Sequence, residues 1–166
     1  AARLSESVAA TGKPVVIGDL GASGDPAAAG ASGAFAGVPL LDGSQKTTAD
    51  LKGKVTLVNF WATSCTTCVA AMPEIVATYD KYKGQGFETL AVAMSYDPPA
   101  YVSRFAETRK LPFGVAIDNT GEIARSFGDV QLTPTSYLIN KRGEIVSVDV
   151  PRGPKKKLKI TKIEAA

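Results

Sequence analysis

The chain has 166 residues, 45% hydrophobic and 21% charged, enough apolar content for one real core and a cramped length for two domains. It has no histidine, which removes Ser-His-Asp triads, Cys-His nucleophiles and His-ligated zinc or iron. The formal charge of +3 divides as −2 over residues 1–50, zero over 51–150 and +5 over 151–166, so the body carries no net basic charge and nucleic acid is not an expected partner.

No apolar run approaches the ~18 residues of a membrane-spanning helix. The chain begins at Ala1, without a start methionine or a charged-then-apolar leader, the expected look of a mature or trimmed form. From Gly18 to Pro39, 17 of 22 residues are Gly, Ala, Pro or Ser. Such a stretch buries little and costs much entropy to order, so residues 1–34 read as a flexible arm or linker. A tether to a membrane anchor and an ordinary frayed terminus both fit.

A domain is expected over residues 35–150. Leu40-Leu41 before Asp42-Gly43 predicts an N-terminal hairpin. Thr48 to Lys54 predicts a short helical turn that feeds Lys54–Ala62, an almost continuous apolar and β-branched run of the kind that forms a strand covered on both faces. Met72, Ile75, Val76, Tyr79 and Tyr82 then mark one helix face, with Pro73 expected to kink it and Gly84 and Gly86 to close it. Phe87–Met94 predicts a second buried strand. Asp97-Pro98-Pro99 predicts a helix start with a capping carboxylate, and Tyr101, Val102 and Phe105 its buried stripe.

Phe113–Ile117 predicts a short strand, and Asn119 or Thr120 opens a brief helix stopped by Gly128. Leu132–Ile139, with Pro134 near its entrance, and Glu144–Val150 predict the last two strands, joined by a turn at Asn140–Gly143. The order β-α-β-α-β-α-β-β predicts an α/β fold, an open sheet whose parallel strands are joined by helices. Residues 151–166 read as a basic tail, with no regular packed helix across 151–157.

The chemistry is expected at Trp61-Ala-Thr-Ser-Cys65-Thr-Thr-Cys68, where a buried strand meets a helix. Cys65 and Cys68 are the only cysteines, too few for a structural zinc site; they mean redox chemistry, a local disulfide or two-coordinate binding of a soft metal. Residues three apart at a helix start lie on one side, within disulfide reach. The first sulfur meets unpaired N–H groups and the positive end of the helix dipole, which favour a thiolate at Cys65. Cys68, one turn in, is expected to be buried and to resolve a mixed disulfide. A purely structural bridge is the weaker reading, because closing so short a loop constrains little of the unfolded chain. Trp61 is expected to be partly exposed beside Cys65, and Met72 and Met94 to be core fillers rather than metal ligands.

From Phe35 to Val150 the sequence resembles the thioredoxin-like superfamily, more narrowly the TlpA/ResA branch of bacterial thiol–disulfide oxidoreductases. The resemblance rests on Val58-Asn-Phe-Trp-Ala-Thr63, the CxxC, Met72-Pro73 and Thr133-Pro134-Thr135 before a Tyr-Leu-Ile strand. It implies a central mixed sheet flanked by helices, with a central insertion that lengthens the span from Cys68 to Pro134. It implies Cys65 and Cys68 as catalytic residues, with Trp61, Ser64, Thr66, Thr67, Thr133 and Pro134 in supporting or substrate-binding places. A cis bond before Pro134 is implied as well; it would leave the Thr133 backbone open to a substrate strand.

The sequence departs from the branch pattern at several positions. Ser64 stands where many members have Trp, two threonines where many have a proline between the cysteines, and Ala71 where a glutamate is frequent. Asn59 aligns with the buried thioredoxin aspartate, so the proton relay falls to water or Glu74. The implied activity is a protein-disulfide reductase without cofactor or metal. It would be periplasmic or otherwise extracytoplasmic, membrane-anchored in a full-length form, and monomeric. The implied electron donor is a membrane thiol transporter, and the implied substrates are disulfide-containing proteins such as apocytochrome c. A copper(I) carrier for oxidase assembly is the alternative; a peroxidase is a third reading, without the usual Thr and Arg partners around the reactive cysteine.

Overall fold

The apolar run after Gly53 becomes strand β4, Val55–Trp61, with every residue buried. A computed structural model describes residues 15–16 and 38–149 of the chain. Ahead of β4 lie β1 (Val15–Val16), β2 (Val38–Pro39) and β3 (Gln45–Lys46), then helix α1 (Thr48–Leu51). Beyond it come α2 (Thr66–Tyr82), a single 3-10 turn, β5 (Phe87–Ala93), α3 (Pro99–Thr108), β6 (Gly114–Ile117), α4 (Glu122–Ser126), β7 (Thr135–Ile139) and β8 (Glu144–Asp149). The arm expected before residue 35 lies, apart from Val15–Val16, outside the described residues, as does the tail over 151–166.

The main sheet has the order β1-β8-β7-β4-β5-β6. It is mixed: β4, β5 and β6 run parallel, while β7 lies antiparallel to β4 and β8 antiparallel to β7. The reading of element order as parallel strands therefore holds only for one half. The connections explain the difference, since α2 and α3 carry the chain back over the sheet, whereas β7 and β8 are joined by a tight turn at Gly143. Between β5 and β7 the chain forms α3, β6 and α4.

β2 and β3 pair as the expected hairpin, with the Asp42 carboxylate accepting from both the N–H and the hydroxyl of Ser44. α1 starts at a capping box in which Thr47 and Asp50 satisfy each other's backbone N–H groups. α2 runs on through Pro73, and the 3-10 turn that follows it ends at Gly86, whose φ of +77° suits a residue without a side chain.

The strands bury both faces, so two cores form. On one side Val58, Phe60, Leu90, Val92, Tyr137 and Ile139 pack with Phe127, Leu51 and Leu40. Phe60, Phe127 and Tyr137 meet edge to face or tilted, with centroids 4.8–5.9 Å apart. The Tyr137 hydroxyl donates to the Phe127 carbonyl at 3.0 Å, and its burial pushes its pKa far up. On the other side Trp61, Ala91, Ala93 and Val115 pack with Cys68 and Met72 of α2 and Val102 of α3. Met72 and Met94 are both buried in these cores. Each large side chain buried this way is worth roughly 1.5–3 kcal/mol.

Two helix expectations need correction. Tyr101 is 60% exposed, so the buried side of α3 is Val102 with Phe105 partly buried. α3 has Pro98 as its N-cap residue and no side-chain cap. The Asp97 carboxylate does not cap it, because it is engaged by Thr63.

Candidate active site

β4 ends at Trp61, and a turn closed by the Cys65 N–H donating to the Ala62 carbonyl at 3.1 Å leads into α2. Cys65 is the N-cap of that helix, in extended backbone with φ −87° and ψ 103°. Its sulfur accepts from the Cys68 N–H at 3.2 Å and lies 3.4 Å from the Thr67 hydroxyl. A cap position leaves the first amides of the helix without partners in the chain, and the sulfur occupies the place a serine or aspartate oxygen takes elsewhere.

Cys65 and Cys68 form a disulfide, with Cα atoms 5.2 Å apart. The two halves differ in access: Cys65 is partly exposed, whereas Cys68 is 1% exposed and packs in the core with Trp61 and Met72. An incoming nucleophile or disulfide therefore meets one sulfur and not the other. When the pair is reduced, the N–H of Cys68 and the dipole of α2 face the outer sulfur and favour its anion by about 0.3–1 kcal/mol or more.

The other residues singled out by sequence fall around this pair unevenly. Ser64, Thr66 and Thr67 are exposed at the mouth of the helix. Trp61 is not partly exposed as expected; it is wholly buried, tilted against Phe105 with centroids 5.1 Å apart. The reason is its place in β4: it lies on the face that α2 and α3 cover. Thr133 and Pro134 are partly buried and joined by a cis peptide bond. Thr135 pairs with Phe60 in the β7–β4 ladder, so the Thr133-Pro134 segment stands at the same end of the sheet as Cys65.

Asn59 is 1% exposed and accepts from the Ser136 hydroxyl at 3.0 Å. It cannot serve as a base, and Glu74 is exposed on the outer surface of α2. Asp97 was not foreseen at this site. It is 3% exposed, and its carboxylate accepts from the Thr63 N–H at 2.7 Å and the Thr63 hydroxyl at 2.6 Å. Its separation of 34 positions from Thr63 leaves no periodic signal in the sequence.

The Redoxin family profile matches residues 22–166. The chain belongs to the Redoxin family. Among curated relatives, this redoxin is 40% identical over 106 residues to the thiol-disulfide oxidoreductase ResA of Bacillus thuringiensis subsp. konkukian, a match covering 64% of this chain and 60% of that protein. The chain thus spans about 60% of the length of that relative. Its fold is similar to that of a thiol:disulfide interchange protein of the thioredoxin family from Chlorobium tepidum (TM-score 0.70, 26% identity, 91% of this chain and 94% of that one). It is also similar to StoA of Bacillus subtilis (TM-score 0.60, 25% identity, 68% and 84%). The fold of this redoxin is thioredoxin-like, an α/β mixed sheet flanked by helices.

Proposed function

We propose that this redoxin is a thiol–disulfide oxidoreductase of the ResA type, working as a reductase of protein disulfides outside the cytoplasm. The observation that carries the reading is the asymmetry of the pair: a reachable sulfur at the N-cap of α2 and a buried one a turn behind it. The Cys65 thiolate attacks one sulfur of a substrate disulfide, forming a mixed disulfide and releasing a substrate thiolate. Cys68, losing its proton, then attacks the Cys65 sulfur; the second substrate thiolate leaves, and the Cys65–Cys68 disulfide holds the oxidation. Two electrons have passed to the substrate; the proton lost by Cys68 goes to one of its thiolates, and solvent supplies the other.

Ser64, Thr66, Thr67 and the Thr133-Pro134 segment would form the surface that meets the substrate, with Trp61 supporting the pair from below. A membrane thiol transporter would return the protein to the dithiol, and apocytochrome c is a fitting client. The protein would work as a monomer in the periplasm. No cofactor is needed for exchange.

Insulin-disulfide reduction with a chemical dithiol as donor tests this. Cys65→Ser should fall to the rate of the chemical dithiol alone, because the attacking sulfur is gone. Wild type and Cys65→Ser performing alike would end the reading. A stoichiometric copper(I) complex in anaerobic titration, without insulin reduction, would favour the copper-carrier reading instead.

A further inference from the structure

The loop after β5 holds a buried carboxylate that the exchange chemistry does not use directly. Asp97 is 3% exposed, and it belongs to neither ion pair found among the described residues, which join Lys46 to Glu88 and Lys83 to Asp80. Taking a carboxylate out of water without a cation is costly, and short hydrogen bonds must offset that cost. Both carboxylate oxygens take theirs from one residue, Thr63: Oδ2 from its N–H at 2.7 Å and Oδ1 from its hydroxyl at 2.6 Å.

Thr63 lies in the turn between β4 and α2, two positions before the reactive sulfur. The same turn is closed at its other end by the Cys65 N–H on the Ala62 carbonyl. The loop bearing Asp97 is itself fixed: the Met94 N–H donates to the Trp61 carbonyl at 3.0 Å, and the Asp97 N–H to the Met94 carbonyl at 3.0 Å. The carboxylate thus clasps one strand-end loop to the next, and the clasped turn carries Cys65 to the helix tip. A sulfur displaced from those amides would lose the stabilisation of its anion, because the contact is directional and short-ranged.

We propose that Asp97 is a positioning residue for exchange at Cys65, its carboxylate clasping Thr63 so that the turn presents the sulfur to the amides of α2. The proposal rests on the thiol-exchange reading given above. Its test reads Cys65 without any client: the pH profile of iodoacetamide alkylation of Cys65 in the reduced protein.

Asp97→Asn and Asp97→Ala both lack the charge. Asn retains a matching pair of hydrogen bonds, its Oδ1 accepting from the Thr63 N–H and its Nδ2 donating to the hydroxyl oxygen. The difference between the two therefore isolates the clasp. Cys65 in Asp97→Ala should titrate at higher pH than in Asp97→Asn and react about fivefold more slowly at neutral pH, the scale of losing a helix terminus's hold on an anion.

Thr63→Val and Thr63→Ser form a second pair at the other end, and they decide the matter on the same readout should Asp97→Ala fail to fold. Val keeps the backbone N–H bond and loses the hydroxyl, so it should shift in the same direction as Ala but by less, and Ser should behave like wild type. Folded Ala and Asn variants with superimposable profiles, or Val and Ser variants that cannot be told apart, would overturn the proposal. A missing insulin activity with the alkylation difference intact would instead count against the proposed function and leave the clasp standing.

Discussion

Two aspartates occupy matching places in this fold, each just past the C-terminal end of a parallel strand and each almost completely buried: Asp97 after β5 and Asp118 after β6. Asp118 turns forward onto its own helix, accepting from the N–H groups of Ile123 at 3.1 Å and Ala124 at 2.9 Å. Asp97 reaches back across the chain to Thr63. The residue type, the shelf of the sheet and the degree of burial are the same. What differs is whether the waiting donors are local. α3 opens with Pro98 and Pro99, which have no N–H to offer, whereas α4 opens with ordinary residues whose amides need acceptors. A buried carboxylate binds whatever donors the neighbouring backbone leaves unmet, and a pair of prolines redirects it from capping a helix to tying two loops together.

That contrast can be broken at Asp118. Asp118→Ala removes two backbone hydrogen bonds from a buried acceptor and should cost about 2 kcal/mol in urea unfolding. The Cys65 alkylation profile should match that of the wild type, because α4 does not carry the reactive turn. A shifted profile would mean that the two shelves are mechanically linked. A smaller loss sharpens the role of burial without charge. Tyr137→Phe deletes the hydroxyl that donates to the Phe127 carbonyl in the core and should cost about 1 kcal/mol by the same measurement.

The smallest effect belongs to the exposed version of the Asp118 arrangement, the capping box at Thr47 and Asp50. Hydrogen bonds from the Thr47 backbone and hydroxyl hold the Asp50 carboxyl below the ordinary aspartate range. A folded-state pKa that is depressed contributes stability at pH above the unfolded value, and the contribution is lost as pH falls through the folded one. Thr47→Ala should therefore lower Tm by a few degrees at most near neutrality and by less in acid. An equal drop at both pH values would assign the effect to the threonine alone.

The parts of the fold that follow from local pattern were legible in the sequence. The buried run at 55–61, the α2 stripe and the order of elements needed only periodicity and turn chemistry. The cysteine pair at a strand-to-helix junction followed from spacing, and the cis bond at Thr133-Pro134 from family resemblance. What escaped was set by tertiary neighbours. Trp61 alternates onto a face covered by α2, which follows at once, and by Phe105 of α3, more than forty positions on, and nothing local distinguishes that burial from a place on the rim. Tyr101 fits a helical stripe, yet α3 packs through Val102 and leaves the phenol in solvent. Asp97 looked like a cap by its position ahead of a helix, and only the fold brings Thr63 within reach. The antiparallel β7–β8 pair, by contrast, follows from the turn at Asn140–Gly143 that the sequence marks, which is too tight for any crossover.

The segments that precede β4 also reach the two outer margins of the sheet. Val15–Val16 pairs with Ile145 and Glu144 along β8, while at the opposite margin Leu40 bridges Ala116 and the Leu41 N–H donates to the Val115 carbonyl. Gly114 makes room for this second cover, since a Cβ there would stand 3.0 Å from a Leu40 methyl. An open sheet invites a foreign strand to add itself at either rim. In this molecule part of each rim is already taken by segments from ahead of β4, so fewer backbone groups are left open there for a foreign strand to pair with.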